Sequence, residues 1–327
     1  MANTARVMRF HQPGGPDVLR LETIELPDPG ATEVLVRNKA IGLNFQDIYQ
    51  RSGFYPLPLP SGVGTEAAGV VEKVGAAVKG LKEGDRVCYA GGPIGAYADR
   101  RLMPADRLVK TPAKITDEQA AAIMLKGMTA EYLLNRCYPA PRGDYALFYA
   151  AAGGVGLLAG QWGKYLGAKM IGVAGGSEKC RLALANGYHA VIDRSRENIV
   201  ERVKEITKGA MVPVVYDSVG KATFEDSIKC LAPRGFFVSF GTSSGAPPAV
   251  EAATLQKHGS LYFTRPTLLT YVARREDLEA SSAKVFELLA KGVLRISINQ
   301  RYSLEEAARA HADLAAGRTT GASVLIP

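Results

Sequence analysis

The stretch Tyr145-Ala-Leu-Phe-Tyr-Ala-Ala-Ala-Gly-Gly-Val-Gly-Leu-Leu-Ala159 decides the fold. Five mostly apolar residues from Tyr145 read as a buried strand, and the cluster Gly153, Gly154 and Gly156 reads as a tight turn into a helix. Glycines at Gly153 and Gly154 let an anion approach the backbone, and Gly156 lets helix and strand pack closely. The new helix's unpaired N–H groups would face the anion. This is the order of parts that a dinucleotide pyrophosphate requires, with Ala151 standing where the usual pattern has its first glycine.

Around that turn, apolar runs alternate with helical segments. Strands are expected at Tyr145–Ala150, Lys169–Ala174, Ala190–Asp193, Val212–Asp217 and Gly235–Gly241, with helices at 155–166, 178–185, 198–207 and 223–230. Such alternation implies a doubly wound parallel sheet, a Rossmann domain. The second strand ends at Val173-Ala174-Gly175-Gly176 without a carboxylate, while Ser177 and Lys179 follow at once and Arg194 and Arg196 follow the third strand. Small residues with cations nearby form a cradle for a 2′-phosphate, which predicts NADPH; Glu178, turned inward, would favour NADH instead.

The first third is rich in Gly, Pro and short β-type runs at 34–36, 68–74 and 86–89, and a strand-like pattern covers Met1–Phe10. Thr116 and Gln119 have capping-box spacing before an Ala-rich helix, as do Ser303 and Glu306. A helix is expected over 276–291, and the apolar strand Ala322–Ile326 is expected to return to the first domain. The reading is α/β: a β domain over 1–125, completed by 268–327, and a Rossmann domain over 126–267, with a cleft expected between them.

Composition narrows the classes. The 327 residues are 47% hydrophobic and 22% charged, close to globular averages. The uncharged stretch Tyr145–Gly163 nearly reaches bilayer length, but its glycines break it. Without a secretory signal pattern, the expected location is the cytoplasm. Four cysteines and four histidines are scattered with no ligand spacing, so no metal site is expected. The net charge of +8 is dispersed, which makes nucleic acid an unlikely main partner.

Beyond these patterns, Asn44-Phe-Gln-Asp-Ile-Tyr-Gln-Arg-Ser-Gly-Phe-Tyr-Pro, Gly64-Thr-Glu-Ala-Ala-Gly, Leu125-Lys-Gly-Met-Thr, Ala151-Ala-Gly-Gly-Val-Gly, Tyr216-Asp-Ser-Val-Gly, Ser239-Phe-Gly-Thr-Ser-Ser-Gly and Thr264-Arg-Pro-Thr-Leu occur in one order. Together they resemble the NADPH:quinone oxidoreductases, the zeta-crystallin-like, zinc-free branch of the medium-chain dehydrogenases. The resemblance covers nearly the whole chain. It implies a GroES-like β domain on a Rossmann domain, a homodimer, and reduction of a quinone by NADPH. Zinc alcohol dehydrogenases of the wider superfamily have a metal-binding Cys where this chain has Asn44 and a His where it has Thr65.

The resemblance also implies site residues. Asn44, Phe45, Asp47, Tyr49 and Thr129 would lie about the nicotinamide, and Ala152, Gly153, Gly154, Val155 and Gly156 at the pyrophosphate. Lys179 matches the family's 2′-phosphate lysine, with Gly175, Ser177 and Arg194 completing the cradle read above; the family often has a tyrosine where Arg194 stands, a departure that would either strengthen phosphate binding or redirect it. Ser218, Phe240, Gly241, Thr242, Ser243, Phe263, Arg265 and Arg318 match further cofactor-lining positions. Tyr49, Tyr55 and Asn44 are the candidate catalytic residues, the tyrosines as donors to a carbonyl oxygen or stacking partners for a ring. Two other readings are an alkenal or enone reductase on the same fold and an NADPH-sensing, RNA-binding protein.

Overall fold

The computed structural model describes residues 3–327. Met1 and Ala2, read above as the start of a strand, lie outside the described residues. The chain divides into two compact units.

One unit comprises the chain up to Met128, Val272–Glu287 and the segment from Ile296 onward. Its first strands are β1 (Asn3–Phe10), β2 (Arg20–Leu26) and β3 (Glu33–Gly42), followed by the short helix α1 (Phe45–Arg51). Then come β4 (Ser61–Gly62), β5 (Ala67–Val74), β6 (Arg86–Tyr89), β7 (Arg100–Pro104), β8 (Val109–Lys110) and α2 (Asp117–Tyr132). The Thr116 and Gln119 side chains cap one another's backbone N–H at 3.1 and 3.0 Å at the start of α2, which is the reciprocal box their spacing predicts.

The other unit holds Thr129–Tyr271 and Leu288–Arg295. It runs β9 (Tyr145–Tyr149), α3 (Gly154–Leu166), β10 (Lys169–Ala174), α4 (Ser177–Ala185), β11 (Ala190–Asp193), α5 (Ile199–Ile206) and β12 (Val212–Asp217). It continues through α6 (Phe224–Lys229), β13 (Leu231–Ser239), α7 (Ala252–Lys257), β14 (Tyr262–Thr264) and α8 (Leu268–Tyr271). The six strands pair in parallel in the order β11-β10-β9-β12-β13-β14. Leu147, Ile171, Val173, Ile192, Val215 and Phe237 form its core on one face of that sheet. The segment Leu288–Arg295 is tied to α3 by Gln161, whose amide accepts from Arg295 N at 2.7 Å and donates to Arg295 O at 3.2 Å.

The remaining elements are α9 (Arg275–Ala290), β15 (Ile298–Ser303), α10 (Ala307–Ala315) and β16 (Ala322–Ile326). A 3-10 turn, Leu304–Glu306, precedes α10, and the Ser303–Glu306 box caps that turn. β16 pairs antiparallel with β3 through Val324 to Gly42 and Leu325 to Ile41, completing a sheet of order β15-β16-β3-β5-β6-β8. Through this pairing β16 is part of the sheet of the first unit.

Candidate active site

In the second unit, every expected cofactor loop follows the carboxyl end of a strand of the parallel sheet, where open α/β sheets bind their ligands. After β9 the chain turns through Ala150, held in the left-handed region at φ 53°, a conformation that costs a non-glycine residue roughly 1–2 kcal/mol. Its carbonyl accepts Gly153 N at 2.9 Å, and α3 then starts with no side chain capping it. The first N–H groups of such a helix have no intrahelical acceptor, so they are available to a pyrophosphate. The glycines divide the work. A Cβ on Gly156 would stand 2.3 Å from Ala150 O and 2.7 Å from Ala151 O, so this glycine seats the helix on the strand, whereas a Cβ on Gly153 would meet only Ala150 O at 3.2 Å.

At the end of β10, Gly175 lies beside the Arg194 guanidinium: a Cβ there would be 3.4 Å from Nε. Ser177 is exposed at the start of α4 and Lys179 is half-buried one residue beyond the exposed Glu178. An acidic neighbour that no sequence motif marks, Asp193, stands beside these residues. Asp193 Oδ1 accepts Gly176 N at 2.8 Å, Ser195 N at 3.0 Å and Ser195 Oγ at 2.6 Å, and these bonds, Ser195's first, hold the carboxyl below its usual range. Asp193 thus ties the loops after β10 and β11 together.

Two further loops sit back to back. Phe240 N and Gly241 N donate to Asp217 O, Ser243 N donates to Ser218 O at 3.2 Å, and Thr242 is buried. The fully buried Asp217 carboxylate organises the turn after β12 by accepting Val219 N, Gly220 N, Thr223 Oγ1 and Ser227 Oγ at 2.7 to 3.1 Å. Phe240 packs on Phe148, Phe263 packs on Phe237, Arg265 donates to Pro266 O, and Thr129 is buried on α2.

In the first unit, Phe45, Tyr49, Phe54 and Tyr55 form an aromatic cluster with ring centroids 5.2 to 5.6 Å apart, and Phe54 is exposed. Asn44 is buried and donates through Nδ2 to Glu66 Oε2 at 2.8 Å. Lys126 Nζ meets the same oxygen at 3.0 Å, and Glu66 Oε1 accepts Leu125 N at 2.7 Å. Asp47 Oδ2 accepts Asn44 N and the Tyr97 hydroxyl, both at 2.9 Å, so its side chain points into a buried network. Tyr97 Oη in turn lies 3.1 Å from His311 Nε2. Burial pushes the Asp47 carboxyl up to about 7, against the pull of Asn44 N, Tyr97 and Lys126, and lowers His311 to about 3, with Arg51 adding to the effect. Arg318 is exposed, with Nε and Nη2 on Asp313 Oδ1 at 2.9 and 2.6 Å. Among the described residues no group of three or more His, Cys, Asp or Glu side chains is placed to hold a metal ion, so the donor set does not fit a zinc centre. Thr65 is buried with its hydroxyl unpartnered.

Residues 30–113 match the alcohol dehydrogenase GroES-like domain and residues 154–287 match the zinc-binding dehydrogenase family. The chain is 52% identical to a quinone oxidoreductase of Pseudomonas aeruginosa over 99% of this chain and 100% of that one. It is 50% identical to quinone oxidoreductase 1 of Escherichia coli over 98% and 99% of the two chains. The crystal structure of Escherichia coli quinone oxidoreductase complexed with NADPH superposes with a TM-score of 0.97 at 50% identity, over 99% of this chain and 100% of that one. With full-length identity at this level and both domain types in place, the chain belongs to the quinone oxidoreductase family of the medium-chain dehydrogenases.

Proposed function

We propose that this protein is an NADPH-dependent quinone reductase. The observation that carries the reading is full-length identity of about half to quinone oxidoreductases, one of them solved in complex with NADPH. The uncapped glycine turn at the head of α3 supports it, since it offers backbone donors to a pyrophosphate. When bound, NADPH supplies the hydride. The residues at 152–156 would hold the pyrophosphate, and Ser177, Lys179 and Arg194 beside Gly175 the 2′-phosphate. Ser218, 240–243, Phe263, Arg265 and Thr129 are assigned to the rest of the cofactor. The Arg318 assignment would require that residue to leave Asp313.

Asn44, Phe45, Asp47 and Tyr49 are assigned to the nicotinamide end. Asp47 would act through its hold on Asn44 N, because its own side chain is wholly buried. The ring cluster of Tyr49 and Tyr55 is suited to stacking a flat acceptor. Two finer expectations complete the proposal: a cytoplasmic location, and a homodimer, for which β14 offers an outer sheet edge bearing the exposed Tyr262. No helix among the described residues is long and apolar enough to cross a membrane.

The test is NADPH oxidation, followed by absorbance, with a panel of quinones. Quinones should accelerate it in the parent protein, and Lys179→Ala and Arg194→Ala should each weaken NADPH about ten- to a hundredfold while leaving NADH nearly unchanged. Both cofactors are compared at one ionic strength, since salt screens a phosphate at the surface. A parent protein indifferent to quinones, or equal weakening of both cofactors, would refute the respective part of the reading.

A further inference from the structure

Three cationic side chains among the described residues are buried: Arg51, Arg101 and Lys126. Arg101 donates to the Pro93 and Ile94 carbonyls and lies over the Tyr89 ring. Arg51 ends α1, in the field of Asp17 and Tyr97. Lys126 differs from both, because it is joined directly to Asn44 through one oxygen of Glu66. That carboxylate is wholly buried and held on its other oxygen by Leu125 N, so it fixes the ammonium and the amide at a single point. Room for it is left by Gly42, where a Cβ would stand 2.1 Å from Glu66 Oε2. An ammonium has three N–H donors. Glu66 takes one, and Lys126 has no other acceptor among the described residues.

We infer that Lys126 is the electrophile of quinone reduction, its remaining N–H donors receiving the acceptor oxygen on which charge gathers, with Glu66 as the positioning residue that holds it beside Asn44. The inference rests on the quinone-reductase reading above. A quinone that takes a hydride at one oxygen gains an O–H bond there and carries the displaced electron pair on its other oxygen as a phenolate. A proton from solvent then completes the hydroquinone, and NADPH leaves as NADP⁺. The phenolate is where a cation acts. A preorganised donor in a water-poor site stabilises such developing charge strongly, and loss of one donor typically costs about 10²- to 10³-fold in rate. Among the described residues no zinc-type donor set is placed to supply that charge.

The experiment measures kcat and NADPH affinity for Lys126→Met, Lys126→Arg and Glu66→Gln across quinones of graded reduction potential. Lys126→Met should lower kcat about a hundredfold, with the dissociation constant for NADPH unchanged. The loss should be steepest for the quinones hardest to reduce, whose oxygens carry the most charge in the transition state. Lys126→Arg should recover part of the rate, and Glu66→Gln should show a smaller loss with the same slope. A loss equal for every quinone, or one confined to NADPH affinity, overturns the inference and leaves the pair structural. Should Lys126→Met fail to fold, Lys126→Gln is read on the same scale. A parent protein that reduces no quinone refutes the underlying reading before any variant is compared.

Discussion

Asp47 and His311 are linked through Tyr97, and burial has moved their titrations in opposite directions. A carboxyl raised from 3.8 to about 7 contributes stability that is fully present below 3.8 and is lost as pH rises toward 7. An imidazole lowered from 6.5 to about 3 contributes stability that is present above 6.5 and is lost as pH falls toward 3. Between about pH 4 and 6.5 the two slopes have opposite sign and cancel. Asp47→Asn removes only the first. The variant should therefore lose stability on acidification more steeply than the parent, by about 1.4 kcal/mol per pH unit in that window. Urea unfolding of both proteins at several pH values measures the difference; a difference that stays constant with pH would show that the pair is not coupled to folding in this way.

At the level of elements, β3 approaches Glu66 so closely that its last residue is constrained. At Gly42 an added Cβ would meet Glu66 Oε2 at 2.1 Å and Ala121 O at 2.3 Å, and the second of these atoms is backbone that cannot swing aside. Gly42→Ala should destabilise the protein by about 1–3 kcal/mol, read as a lower urea midpoint with unchanged slope. An unchanged midpoint would mean the strand end shifts freely.

Elements of this kind were legible where the signal is local. The capping boxes at Thr116 and Ser303, the strand before Gly153 and the apolar run of β16 all depend on neighbours a few residues apart. β14 escaped because it has three residues with one exposed, too few to show a period. The start of β13 escaped because its pairing with β12 shifts register between Val212 and Val214. In the site, the glycine turn could be read directly. The Asn44, Glu66 and Lys126 junction could not, since it joins residues 22 and 60 positions apart and no spacing rule spans that distance. Asp193 was readable as a strand end but not as the clasp on Gly176.

For the whole molecule, the first unit depends on a strand from the far end of the sequence. Val324 is fully buried on β16 and pairs with Gly42 of β3. Val324→Asp would place an unpaired carboxylate in that core, and several kcal/mol of stability should be lost. Hydrogen exchange locates the damage: amides of Glu33–Gly42 should lose protection while those of Tyr145–Tyr149 keep it, and uniform loss across both would refute the assignment of β16 to one unit. The same pairing orders events on the ribosome. At about 5–20 residues per second, β3 emerges roughly a quarter of a minute to a minute before β16, and the Thr129–Tyr271 stretch is complete in the interval. During that time β7 can already pair with Glu33–Arg37, but Ile41 and Gly42 at the end of β3 lack their β16 partners, a short stretch of unpaired N–H and C=O groups of the kind that recruits chaperones or neighbouring nascent chains. The unit whose strands are translated before β9 is the unit that finishes folding after the last strand of the other has been made.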